Sequence, residues 1–270
     1  MNSMDIALVV SDVDGTLVTD DKRLTPAAID AVRRLGAAGI GFTLASSRPP
    51  VGLRSLAERL DLRLPMGAFN GSTVCAPDLR PISEAVIPEA AAREAAARLD
   101  AAGIDLWVFA DGAWNLRDAQ APYTDLERRT LQTDPTVMPD LSPLLGRAAK
   151  IVGVSRDHSG LARLEATLAA ALDGRAAVHC SQPYYLDVTP PGIDKGSFVA
   201  DLGRQLGLPR QRIATLGDAA NDIALFRESG LSIAMGNAAA TVQRAASVVA
   251  PSNNEDGFAR AINRFVFGDT

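Results

Sequence analysis

Residues 6–10, Ile-Ala-Leu-Val-Val, run straight into Ser11-Asp12-Val13-Asp14-Gly15-Thr16, and this junction constrains the fold more than any other stretch. A short, nearly continuous apolar run fits a strand buried on both faces, as in a parallel sheet. Carboxylates directly after such a strand are costly to bury without a counter-charge. They fit the open carboxyl edge of a sheet, where α/β folds place their ligands. The junction predicts a hard-cation site with a nucleophile beside it. The ordinary alternative is a polar turn after an ordinary strand.

The flanks of the chain alternate strand and helix. Thr25-Pro26 supplies an N-cap and a first-turn proline, and Ile29, Val32 and Leu35 then share one face. Residues 40–45 read as a second strand, 51–60 as helical and 66–69 as a short strand ending in Asn70-Gly71, a strong hairpin signal. From about Pro81 the texture changes. An Ala-rich helix over 88–102 precedes paired strands around Asp111-Gly112, a helix over 160–172 and one or two strands over 176–188. Alternation returns after Gly192, with a helix over 197–206, a strand over 213–216 that meets Gly217-Asp218-Ala219-Ala220-Asn221-Asp222, and a terminal helix over 258–267. The expected division is a core over 1–81 and 190–270 with an inserted α/β domain over 82–189, because Pro-bearing linkers suit chain crossings.

Composition narrows the function classes. With 270 residues, two domains are a reasonable expectation. A net charge of -5 argues against a nucleic-acid footprint, which needs a basic face. No apolar stretch approaches the roughly 20 residues of a membrane span. The first residues lack a basic stretch ahead of an apolar core, so no signal peptide and a cytoplasmic location are expected. Cys75 and Cys180 are far apart and form no disulfide framework. The two histidines, His158 and His179, make no Cys/His cluster at zinc-ligand spacing.

Four separated pieces end strands or open helices with polar residues: Asp12/Asp14, Ser46, Lys195 and Asp218/Asn221/Asp222. Taken singly, each has an ordinary reading. Lys195 is then a solvated lysine, Ser46 a helix cap, and Asp218 and Asp222 favourable charges at a helix N-terminus. Gathered at one sheet edge they are chemically coherent. Several carboxylates together need a cation, and oxygen-only donors point to Mg²⁺ rather than zinc. A carboxylate can attack phosphorus, and a second one two residues on can pass a proton to the leaving oxygen. A lysine and a hydroxyl can hold phosphoryl oxygens.

In order and spacing, Asp12-Val-Asp14-Gly-Thr16, Ser46, Lys195 and Gly217-Asp218-Ala-Ala-Asn221-Asp222 resemble the four motifs of the haloacid dehalogenase superfamily. Ala68-Phe-Asn70-Gly71, Ala234-Met-Gly236-Asn237-Ala238 and Asn253-Asn254-Glu-Asp256-Gly257 are similar to its Cof-type, subclass IIB sugar phosphatases. The resemblance implies a Rossmann-like three-layer αβα core with a parallel sheet and an inserted α/β cap of type IIB, expected to close over the site and exclude water. It implies Asp12 as nucleophile and Mg²⁺ ligand, and Asp14 as general acid/base with its carbonyl on the metal. Ser46 would bind the phosphoryl group, and Lys195 would stabilise that group and the nucleophile. Asp218 would be a metal ligand, with Asp222 bound directly or through water. Asn221 would lie near the phosphoryl group or metal, and Asn70, Gly71, Ser47 and Arg48 would fall in the substrate-binding set. Ser47 departs from the pattern, because the family often has Gly there, and a side chain at that position narrows the space near the substrate.

The implied function is a Mg²⁺-dependent phosphomonoester hydrolase acting through an aspartyl-phosphate on small phosphorylated metabolites, sugar phosphates foremost. The alternatives are a dedicated glycosyl-glycerate or sugar-phosphate phosphatase, a phosphomutase, and a non-catalytic phospho-ligand sensor. Asp14 favours hydrolysis, since ATPase relatives usually carry Thr there, and a sensor would be expected to have lost Asp12 or Asp14. An EF-hand starting at Asp12 is excluded, because its sixth and twelfth positions would be Leu17 and Arg23. No nucleotide-binding glycine loop is present. Partners are expected to be limited to the small substrate, without nucleic acid or membrane, and the chain to be a monomer or weak homodimer. Trp107, Trp114, His179, Gln182, Tyr184 and Tyr185 are candidates to line the cap's substrate face, with packing in the cap core as their ordinary reading.

Overall fold

Leu8, Val9 and Val10 are fully buried, as a strand covered on both faces requires. They belong to the strand Leu8–Ser11, which lies inside a five-stranded parallel sheet. The order across that sheet is Val248–Val249, Leu231–Ala234, Ile213–Gly217, Leu8–Ser11, Gly41–Leu44. The structure is a computed structural model that describes residues 5–269. By contacts the described residues divide into two compact units: those up to Ser46, Arg54–Ile82 and those from Asp194 onward form one, and Ser47–Leu53 with Ser83–Ile193 form the other. Ser47–Leu53 is thus grouped with the inserted stretch rather than with the residues around it in sequence.

In the first unit, Leu8 and Val10 join Phe198, Val199 and Leu202 of the helix Lys195–Leu206 in one core cluster, with Leu225 and Phe226. The helix Pro26–Ala37 packs against the edge strand Gly41–Leu44 and against Gly257–Ala261, where Phe42 meets Phe258 edge-on at 5.7 Å. The arrangement is the expected α/β core. Its chain order reverses at the neighbours Leu8–Ser11 and Ile213–Gly217, since later strands go to one side and Gly41–Leu44 to the other. A crevice forms outside the carboxyl ends of strands at such a switch point. Asp12 and Asp218 are the next residues of these two strands.

The second unit is a six-stranded sheet in the order Ala177–Gln182, Tyr185–Thr189, Ala148–Val154, Asp105–Ala110, Ala113–Leu116, Thr136–Val137. Its neighbours pair antiparallel except the last two strands. The helices Glu89–Ala101 and His158–Leu172 cover one face, burying Ala92, Ala95, Leu99, Leu161 and Leu168 against Val108, Ile151 and Leu186. Asp111 and Gly112 make the tight turn expected of them, with φ of 53° and 73°. Trp107 lies edge-on to Trp114 at 5.0 Å and to Tyr185 at 5.1 Å, all buried, as the packing reading of these aromatics requires.

Several local expectations shift. The helix expected from residue 197 begins at Lys195, because Asp194 is its N-cap: the Asp194 carboxylate accepts from Ser197 N at 2.8 Å, and Asp194 N donates to Ser197 Oγ at 3.1 Å. Asn70-Gly71 is not a two-residue hairpin turn. The strands Met66–Ala68 and Thr73–Cys75 do pair antiparallel, but Phe69, Asn70 and Gly71 all carry positive φ in a longer connection. The terminal helix is α only over Gly257–Ala261 and widens to π over Ile262–Val266. Both cysteines are unpaired, and burial pushes the Cys75 thiol up to about 11 and that of Cys180 to about 12, which suits inert packing residues. Among the described residues no helix is long and apolar enough to cross a membrane.

Candidate active site

Asp12 N donates to Leu216 O at 2.9 Å, so the backbone of Asp12 still belongs to the parallel ladder as the strand ends. Its side chain is 6% exposed and accepts from Lys195 Nζ at 2.6 Å. Lys195 reaches it from the first turn of its helix, where the Asp194 cap fixes the start, and is itself 2% exposed. The same ammonium donates to Asp222 Oδ1 at 2.6 Å. The second oxygen of Asp222 accepts from the backbone amides of Asp218 and Ala219, each at 2.9 Å. Both oxygens of this fully buried side chain are therefore engaged by the protein, which makes Asp222 the brace of the Gly217–Asp222 turn and of Lys195.

Asp218 follows its strand as Asp12 follows the neighbouring one. Thr16 Oγ1 donates to Asp218 Oδ1 at 3.0 Å, and Asn237 Nδ2 lies 3.5 Å from Asp218 Oδ2 while donating to Gly15 O at 2.9 Å. The backbone at Gly15 has φ of +82°, and a Cβ there would stand 2.3 Å from the Asp218 carboxylate. Glycine is the residue that lets the two strand-end loops approach this closely. Carboxylate oxygens of Asp12, Asp218 and Asp222 lie within 4.8 Å of one another.

Burial, with like charge crowded beside it, sets the electrostatics. Burial is the main force holding the Asp12 carboxyl well above the usual range. Lys195 opposes it, and the charges of Asp222 and Asp218 add to it. Burial, then the charge of Asp222, pushes Asp218 up to about 7, against Lys195 and the Thr16 hydrogen bond. Burial works to lower the Lys195 ammonium, but the adjacent Asp12 and Asp222 carboxylates overcome it and leave it raised. Three carboxylates against one ammonium, all-oxygen donors and depth within the protein fit a small hard cation such as Mg²⁺. Asp12, Asp218 and Asp222 are the side chains that could offer it carboxylate oxygens.

Ser46 N donates to Gly67 O and Asn70 N to Ser46 O, both at 2.8 Å, and Asn221 Nδ2 donates to Asn70 Oδ1 at 3.1 Å. Ser46, Asn70 and Asn221 are thus tied together, with Ser46 one strand over from Asp12 at the same sheet edge. Gly71 has a steric reason for its identity, since a Cβ there would meet Asp194 O at 2.8 Å. Ser47 and Arg48 group with the second unit: Ser47 O accepts from Lys150 Nζ and Gly52 O from Arg48 Nη1, each at 3.1 Å. The Asp14 side chain pairs with Lys22 Nζ at 2.8 Å, and its charge contributes to the rise of Asp218. Sequence reasoning missed Thr16, Asn237 and Lys22 as site residues. Thr16 and Asn237 stand inside recognisable strings, yet only the folded crossing of loops gives them partners.

A family model described as haloacid dehalogenase-like hydrolase matches residues 9–262. A 5-amino-6-(5-phospho-D-ribitylamino)uracil phosphatase of Bacillus subtilis is 24% identical over 264 residues, covering 97% of this chain and 97% of that protein. An HMP-PP phosphatase of Cronobacter sakazakii is 28% identical over 236 residues, covering 84% and 83%. The crystal structure of a haloacid dehalogenase-like hydrolase from Bacteroides thetaiotaomicron superposes with a TM-score of 0.86 at 28% identity, covering 96% of this chain and 99% of that one. With the family model spanning nearly its full length and its relatives named as phosphatases, the chain belongs to the haloacid dehalogenase-like hydrolase family as one of its phosphatases.

Proposed function

We propose that this phosphatase hydrolyses phosphomonoesters of small metabolites, sugar phosphates foremost, through an aspartyl-phosphate on Asp12 and with Mg²⁺ as cofactor. The observation that carries the reading is the buried Asp12 carboxylate held at 2.6 Å by an ammonium it shares with Asp222, beside the Asp218 carboxylate. When bound, Mg²⁺ supplies Lewis-acid charge that offsets the repulsion between a carboxylate nucleophile and a phosphate dianion. Asp12 and Asp218 would be its side-chain ligands and the Asp14 carbonyl a backbone one. Asp222 would act behind them, orienting Lys195 and the Asp218 loop.

The chain's own groups account for the remaining steps. Lys195 keeps the attacking Asp12 oxygen oriented and neutralises charge on the phosphoryl group during transfer. Asp12 attacks phosphorus, and the bonding pair of the broken P–O bond passes to the leaving oxygen, which takes a proton from Asp14. Water then attacks phosphorus, giving its proton to Asp14, and the P–O bond to Asp12 breaks with its electron pair returning to the carboxylate. Ser46, Asn70 and Asn221 form the polar wall that binds phosphoryl and leaving-group oxygens. Ser47 and Arg48 complete the proposed substrate-binding set.

The test is phosphate release from hexose, pentose and glycerol phosphates, flavin mononucleotide, pyridoxal phosphate and p-nitrophenyl phosphate, with and without Mg²⁺. Mg²⁺-dependent release that vanishes in a folded Asp12→Asn variant is the expected result. Release that survives in that variant would sink the nucleophile assignment. EDTA is expected to abolish release and Mg²⁺ to restore it, whereas Ca²⁺ does not, because its looser coordination spoils the in-line geometry.

A further inference from the structure

Asp14 has to do two things in the proposed reaction, give a proton and take one, and both require its carboxylate to stay aimed. Its side chain is 15% exposed and pairs with Lys22 Nζ at 2.8 Å, from a turn eight residues on. We infer that Lys22 is a positioning residue for Asp14, holding the proton-transferring carboxylate in one orientation; the inference rests on the phosphatase reading above.

The turn carrying Lys22 is built with care. Thr19 N donates to Arg23 O at 3.0 Å and Lys22 N to Thr19 O at 2.8 Å, closing a three-residue loop over residues 20–22. Arg23 N donates to Thr19 Oγ1 at 3.1 Å, which stiffens the loop base. In such loops the last residue adopts the left-handed conformation and is typically Gly. Here Lys22 occupies it with φ of 63°. A side chain with a Cβ costs about 1 kcal/mol in that conformation, and a surface ion pair returns about as little. Stability alone therefore gives no reason for lysine over glycine, while aiming Asp14 does.

The loop is also tied to the rest of the site. Asn253 Nδ2 donates to Asp20 Oδ1 at 3.0 Å and to Val18 O at 3.0 Å, and Asn254 Nδ2 donates to Asp20 Oδ2 at 2.8 Å. Asp20 N donates back to Asn254 Oδ1 at 3.1 Å. Asn253 N donates to Asn237 Oδ1 at 3.1 Å, and Asn237 Nδ2 to Gly15 O at 2.9 Å, beside Asp14 itself. The Lys22 loop and the backbone of Asp14 are thus referenced to the same asparagines. This gives the Asn253-Asn254 string, which the proposed chemistry leaves unused, a physical task.

The test uses leaving-group dependence, because an alkyl alcohol needs a proton to depart and p-nitrophenolate does not. kcat/KM reports the step in which the alcohol leaves, so it is measured for a hexose phosphate and for p-nitrophenyl phosphate. Lys22→Met is expected to lower kcat/KM on the hexose phosphate on the order of 10- to 100-fold, and on p-nitrophenyl phosphate by no more than about 3-fold. Lys22→Arg is expected to restore most of the loss. In an Asp14→Asn background, Lys22→Met adds nothing further, since residues acting as a unit are non-additive. Equal loss on both esters, or an additive loss in the Asp14→Asn background, overturns the inference and leaves the phosphatase reading standing. A wild-type protein that releases phosphate from no ester of the panel above, with or without Mg²⁺, overturns both.

Discussion

Lys195 places one positive charge between the buried carboxylates of Asp12 and Asp222. Removing it strands two carboxylates in a protein interior, which costs roughly 3–5 kcal/mol when a buried pair loses one partner. Lys195→Met is expected to lower Tm clearly at pH 7.5 and less at pH 5, where protons replace the lost ammonium; thermal melts at both pH values check this. The wild type without metal carries the same logic. Asp218 stands at about 7, and Asp12 is also raised, against an ordinary aspartate value of 3.8. Between these values the folded protein holds protons that the unfolded chain has released, so stability falls as pH rises through that window. Metal-free Tm is expected to drop by several degrees from pH 5 to 7.5, and added Mg²⁺ to raise Tm most at the upper end. A Tm that rises with pH in EDTA would contradict the crowding of charge described here. Asp12, Lys195 and Asp218 were legible in the sequence because each directly ends a strand or opens a helix. Thr16 and Asn237 were not, because their partners lie on distant loops whose crossing no local pattern encodes, and Lys22 was not, because only the folded turn brings it back onto Asp14.

The elements that aim these side chains are short and depend on their ends. The helix Lys195–Leu206 starts where it does because Asp194 and Ser197 cap each other, and that start fixes where the Lys195 ammonium emerges. Asp194→Ala is expected to cost about 1 kcal/mol and, by letting the first turn fray, to lower kcat more than KM. Equilibrium unfolding together with steady-state kinetics separates the two effects. The sequence pattern placed this helix two residues late, since apolar periodicity begins at Phe198 while the cap lies before it. The same weakness applied at Asn70. Local chemistry favoured a two-residue turn, but Gly71 packs against the Asp194 carbonyl and the connection lengthens to make that approach. Buried strands were read well because a continuous apolar run needs no partner to be recognised. Turns were read poorly because their geometry is set by what they touch.

Across the whole molecule, the change of texture near Pro81 and the return to alternation after Gly192 made an insertion readable. The affiliation of Ser47–Leu53 with that insertion was not, because those seven residues sit between stretches of the other unit and only their contacts distinguish them. Each unit has its own apolar cluster. Leu99 is fully buried between the helix Glu89–Ala101 and its sheet, so Leu99→Ala is expected to cost roughly 2–5 kcal/mol in the second unit. The chain's only tryptophans, Trp107 and Trp114, both stand in that unit, in edge-on contact with each other. Emission excited at the red edge of indole absorption consequently watches the insertion alone, while the parallel-sheet unit that carries Asp12 is dark at that wavelength. The molecule comes with its own single-site optical label. A denaturation curve followed by this emission reads the insertion, one followed by backbone ellipticity reads both units, and any gap between the two curves measures how far the units unfold independently.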